Sequence, residues 1–183
     1  MRLKLLMSAT LLLLAGETHV ALSEEASDIP PAMQAALVTR IIEQEKTISA
    51  KPDIRIGIFC SDETACRELL YAFKKSSARG VKINKSPFEV RLLGKDELSD
   101  PGVDAIYIMA DDPDIVGELI KTTRKNKILS IAGINAEAYV HAGISVGLTT
   151  VENRPKILVN ITSVREEGRE FQTRFMTLVK LYQ

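Results

Sequence analysis

The chain predicts a three-layer α/β sandwich with a mainly parallel sheet of flavodoxin or Rossmann type, closed by a C-terminal β-hairpin and a final helix. Three observations predict it. From Ile54 to Gly143, short apolar runs alternate with stretches of helical periodicity, the pattern of strands joined by crossover helices. Those runs are apolar at consecutive positions, as strands buried on both faces must be. Beyond Ile144 the pattern changes to one-in-two alternation around a polar link, the mark of an antiparallel pair.

Each element has its own justification. Pro30-Pro31 suits a helix start, because proline lacks the donor that a first turn leaves unpaired. Met33, Leu37, Val38, Ile41, Ile42 and Ile48 then recur at helical spacing, which predicts a helix over Ala32–Ile48. Ile54–Cys60 reads as a buried strand. Asp62–Arg79 reads as a helix with Cys66, Leu69, Leu70 and Phe73 on one face and Gly80 as its stop. Phe88–Leu93 and Val103–Ala110 are the second and third strands. Ile115, Val116, Leu119 and Ile120 mark another helix, and Arg124, Lys125 and Lys127 complement the negative end of its dipole. Ile128–Ala132 is the fourth strand, followed by a short helix ending at Gly143. Ile144–Leu148 and Ile157–Ile161 form the hairpin across Glu152–Pro155. Ser163 and Glu166 are spaced as a capping box, and Val164, Gly168, Phe171, Phe175, Leu178 and Tyr182 form one stripe, which predicts a single final helix.

Size and charge bound the function. The chain has 183 residues with 24 basic and 24 acidic side chains, two Cys and no Trp. This length fits about one domain, and the zero formal charge excludes the basic footprint of a nucleic-acid binder. Residues 1–23 read as a cleaved secretory signal: Arg2 and Lys4, an apolar stretch from Leu5 to Gly16 too short for a comfortable membrane span, then Ala21-Leu22-Ser23 with small residues where a signal peptidase cuts. Glu17 stands where a lipoprotein box needs Cys. Residues 24–31 are a polar lead-in and 32–183 a single domain. Cleavage leaves 160 residues with one histidine, His141, and no further stretch of membrane-spanning length. The expected address is the periplasm of a Gram-negative cell.

Candidate chemistry is sparse. Open ends of parallel strands are where α/β folds bind ligands, and those ends present Ser61, Asp62, Asp111, Asp112 and Asn135. They read either as a small polar pocket or as helix caps, and residue type favours the caps. No glycine-rich phosphate loop is present, no Cys, His or carboxylate set has metal-ligand spacing, and His141 reads as a surface residue. No catalytic residue, metal or cofactor is expected. Cys60 and Cys66, an even count in an exported chain, read either as a short disulfide or as two buried thiols.

The closing third resembles the YfiR-like family of periplasmic regulators. The resemblance rests on Gly143-Ile144, Glu152-Asn153-Arg154, Ile157-Leu158-Val159-Asn160, Glu167-Gly168 and Phe175-Met176-Thr177-Leu178, with the opening helix and the Val103–Ala110 strand in the family's order. The match runs from Ala32 to Tyr182. The chain departs in lacking the Trp-Pro that ends the first helix of well-known members and in the early placement of its cysteines. The resemblance implies a non-enzymatic regulator that restrains an inner-membrane diguanylate cyclase by binding its periplasmic part. Partner contacts would then fall on exposed residues of the hairpin and final helix, such as Arg154, Arg165 or Arg169. The alternative is a small-ligand binder resembling one lobe of a solute-binding protein, its ligand bound shallowly or across a homodimer.

Overall fold

The computed structural model describes residues 29–183; the signal reading of residues 1–23 and the lead-in up to residue 28 lie outside the described residues. The elements are α1 (Pro31–Gln44), β1 (Ile54–Cys60), α2 (Glu63–Ala78), β2 (Phe88–Leu92), β3 (Ala105–Met109), α3 (Pro113–Asn126), β4 (Leu129–Ala132), α4 (Ala136–Ala142), β5 (Val146–Val151), β6 (Arg154–Asn160), α5 (Ile161–Glu166), α6 (Thr173–Met176) and β7 (Lys180–Tyr182). They build one seven-stranded sheet in the order β2-β1-β3-β4-β5-β6-β7. All neighbouring strands run parallel except the β5–β6 pair. The first five strands therefore have the 2-1-3-4-5 order of doubly wound flavodoxin-like sheets.

Alternation of side chains across the sheet divides the core in two. Ile54, Ile56 and Ile58 of β1 and Tyr107 of β3 face α1 and α2. Phe59, Ile106 and Ile108 face the opposite way, against Val116, Leu119 and Ile120 of α3. Consecutive residues in one strand thus enter different helix layers, which is why these strands are apolar without a break. Burial pushes the Tyr107 phenol well above its usual range; its hydroxyl donates to Gln34 Oε1 of α1 at 2.7 Å, tying the sheet to the first helix.

Helix α1 ends at Gln44 rather than Ile48. Glu45 leaves the helical path in an extended conformation and forms a bridge with Phe171. The hairpin turns through Glu152 and Asn153, both at positive φ (52° and 59°), which matches the twist of the paired strands. Strand β7 covers only Leu158–Asn160 of β6, so the outer edge of 154–157 carries no strand. Pro155 and the exposed Lys156 guard it against further pairing.

The single final helix is not what forms. Helix α5 stops at Glu166, and Gly168 at φ +66° reverses the chain. Arg169 N–H donates to Val164 O at 2.8 Å and Gly168 N–H to Arg165 O at 2.9 Å, an arrangement that closes a helix on a left-handed residue. The N-cap is Asn160, whose Oδ1 accepts from Ser163 N–H at 3.0 Å, and not Ser163. Phe171 and Phe175 of the expected stripe are buried, yet Leu178 is 78% exposed and Tyr182 lies on β7. Gly168 is thus a helix terminator and not part of a continuous helical stripe. Gly168→Ala is expected to cost about 1 kcal/mol through its positive φ, read as a lower urea midpoint with unchanged slope.

Candidate functional site

The carboxyl ends of β1, β3 and β4 gather the residues expected to line a pocket. Asp62 accepts from Ala65 N–H at 2.9 Å, and Asp112 accepts from Asp114 N–H at 3.0 Å. Both carboxylates are committed to the starts of α2 and α3. Ser61, Asp111 and Asn135 are exposed on the same rim. Asn135 adopts a left-handed conformation (φ 46°) at the start of α4 and makes no side-chain capping bond. Gly133 explains the tight floor behind it: a Cβ there would fall 2.2 Å from the Tyr107 hydroxyl.

Cys60 and Cys66 close this rim as a disulfide, S–S 2.00 Å with Cα atoms 5.9 Å apart. The bridge joins the end of β1 to the second turn of α2. Its short loop limits the entropy it removes from the unfolded chain, so replacing both cysteines by serine should cost about 2 kcal/mol. A thermal midpoint lowered by several degrees, with an unchanged far-UV spectrum, is the expected reading.

The opposite end of the sheet holds what the sequence did not disclose. A cleft of about 390 Å³ opens at the amino ends of β1, β3 and β4, lined by Lys51, Arg55, Asp100, Asp104, Lys127 and Arg169 among others. Asp104, buried just before β3, accepts from Arg55 N–H at 2.8 Å and from the Lys51 ammonium at 2.5 Å. Arg169 had been expected on the surface as a partner contact. Instead it is half-buried, donating to Thr47 Oγ1 at 2.8 Å and to the backbone carbonyl of Lys127. Burial holds its pKa below the usual arginine value, with the charges of Glu45, Asp104 and Glu167 opposing that shift. Arg154 and Arg165 are both exposed, but they sit at opposite ends of the sheet, roughly 20 Å apart by the rise of β6.

Two buried carboxylates anchor the segment that carries Arg169. Glu45 accepts from Ile48 N–H at 2.5 Å and from Glu170 N–H at 3.0 Å. Glu167 accepts from Ser130 Oγ at 2.6 Å, Ser130 N–H at 3.1 Å and Ser145 Oγ at 2.5 Å. Burial pushes the Glu167 carboxyl above the ordinary range, while the hydrogen bonds from Ser130 and Ser145 pull it down. The available signal for this network was an acid directly before glycine, Glu167-Gly168, and Asp104 inside an otherwise apolar run. Among the described residues no group of three His, Cys, Asp or Glu could hold a metal, and no helix is long and apolar enough to cross a membrane.

The described residues thus form a doubly wound α/β sheet with helix caps at its carboxyl end and a polar cleft at its amino end. Two solved structures share the architecture. One is the ABC domain in complex with L-Trp from Streptococcus pneumoniae, TM-score 0.55 at 14% identity, covering 84% of this chain and 62% of that one. The other is a conserved domain protein from Vibrio cholerae O1 biovar El Tor, TM-score 0.57 at 13% identity, covering 84% of this chain and 60% of that one. The chain thus spans about three fifths of the length of each, and the likeness is one of fold. No curated protein matches the sequence. The YfiR/HmsC-like family model matches residues 32–180. The chain belongs to the YfiR/HmsC-like family.

Proposed function

We propose that this protein is a periplasmic, non-enzymatic regulator that works by binding an envelope partner, an inner-membrane signalling protein such as a diguanylate cyclase. The observation that carries this reading is the family match over residues 32–180. The proposed contacts are Arg154 at the hairpin tip and Arg165 on α5, both exposed. The unpaired outer edge of 154–157 lies beside the first of them. Arg169 lines the amino-end cleft, donating to Thr47 Oγ1 and the Lys127 carbonyl, and is not among these contacts. Residues 1–23 act as the export signal in this reading, so the mature protein begins near Glu24.

Two measurements test it. Mass spectrometry of the protein from osmotic-shock fluid should give a chain starting near Glu24. Crosslinking in intact cells should capture a membrane protein with a cytoplasmic cyclase domain, and Arg154→Glu or Arg165→Glu should weaken that capture without moving the thermal midpoint. Rim charges act mainly on encounter rate, so the loss should grow as ionic strength falls. Capture unchanged by both reversals, or turnover of a small molecule by the purified protein, would count against the reading.

A further inference from the structure

The cleft at the amino ends of β1, β3 and β4 is a concave place where cations outnumber carboxylates. Its lining carries four cations, Lys51, Arg55, Lys127 and Arg169, against two carboxylates, Asp100 and Asp104. Among the described residues, Lys51 alone of the four is ion-paired, with the buried Asp104. The Lys127 ammonium donates only to the backbone carbonyl of Glu166, at 3.1 Å. Arg169 donates to one hydroxyl and to backbone carbonyls, none of them a carboxylate, and its Nε–H is buried without a hydrogen-bond partner. The Arg55 guanidinium is exposed and makes no hydrogen bond among the described residues; Asp104 takes only its backbone N–H.

This surplus is local. The chain as a whole has zero formal charge, and Arg40, Arg67, Arg91 and Arg124 each lie against a glutamate. The negative carbonyl end of α3 faces the same cleft, but Arg169 already engages the Lys127 carbonyl there. Glu45, Asp104 and Glu167 offset Arg169 and Asp104 pairs Lys51, which leaves the positive charge of Arg55 and Lys127 on a concave wall, where the low dielectric of the protein concentrates the field. An arginine fork offers paired donors to a planar or tetrahedral oxyanion.

We infer that the cleft binds the carboxylate or phosphate group of a small diffusible metabolite, with Arg55 and Lys127 as the residues that receive it. At about 390 Å³ the volume suits a molecule of metabolite size. The inference goes beyond partner regulation and does not depend on it. Its test is a titration of the isotopically labelled protein at low ionic strength with inorganic phosphate and, separately, with succinate. The expected result is saturable movement of the amide resonances of Arg55, Asp104 and Lys127 with at least one of the two anions, and whichever acts names the source of the oxyanion. The variant Arg55→Gln with Lys127→Gln should bind at least about tenfold more weakly. Both side chains are exposed, so its thermal midpoint should match the parent; if it does not fold, the map of shifts in the parent protein still decides. Shifts confined to other parts of the molecule, the absence of saturation with both anions, or equal affinity in the folded variant would overturn the inference.

Discussion

Glu167→Ala is expected to lower the unfolding free energy by about 3 kcal/mol, since it strips the acceptor from Ser130 N–H and both serine hydroxyls inside the core. For a domain of this length that corresponds to a thermal midpoint roughly 10 °C lower. Glu167→Gln separates the network from its charge. Because burial raises the Glu167 pKa in the folded protein, the native state takes up a proton before the unfolded chain does as pH falls. The cost of the buried charge is therefore fully present above the folded pKa and is relieved as pH drops toward the ordinary value of 4.5. Denaturant midpoints of parent and glutamine variant should differ by pH: the variant gains on the parent at pH 8 and loses that gain at pH 5. Parallel curves across this range would show that Glu167 is protonated throughout or carries no penalty.

Phe171→Ala should cost about 3 kcal/mol, the usual result of emptying a buried aromatic site. Phe171 is 5% exposed, meets Phe175 with ring centroids 5.0 Å apart, and belongs to the core against α1. Its loss acts on more than packing. The strap around it is stitched to the end of α1 by Lys46 N–H to Glu170 O at 2.9 Å and Gln172 N–H to Gln44 O at 2.9 Å. Amide exchange should therefore quicken over 170–182 and at the C-terminal end of α1, while β1 and β3 keep their protection. Uniform loss of protection across the sheet would instead show that the strap and the sheet open as one unit.

The fold was legible where burial imposed a period. Strands β1, β3 and β4 carry apolar residues on both faces because helices cover both, and Asp62 and Asp112 stand at strand-to-helix turns where a short acceptor is needed. The failure came after Asn160. Val164, Phe171 and Phe175 are all buried, at intervals that a continuous helix would also produce, although the chain between them turns on Gly168, pairs with Glu45 at Phe171 and coils again only in the short α6. Periodicity records which residues face the core, and an irregular strap that lays side chains down at similar intervals leaves the same trace. Gly168 held the information, but as an interior glycine and as a terminator it looks alike in sequence.

The candidate site was less legible for a different reason. Helix caps are local, so Asp62 and Asp112 could be read from their neighbours. The amino-end cleft joins Lys51, Asp104, Lys127 and Arg169 from four separate segments, and no spacing rule connects them. Glu167 with Ser130 and Ser145 is likewise assembled only when β4, β5 and the end of α5 meet. Arg169 illustrates the point: the family resemblance implies an outer contact, and only tertiary placement turns its guanidinium toward Thr47 and the Lys127 carbonyl.

The stitching of Glu45 to Glu170, 125 residues apart, has a consequence for biogenesis. The C-terminal end of α1 gains these last partners only when nearly the whole polypeptide has left the ribosome, so seating of the strap is a late step that follows the packing of α1 on α2 and the sheet.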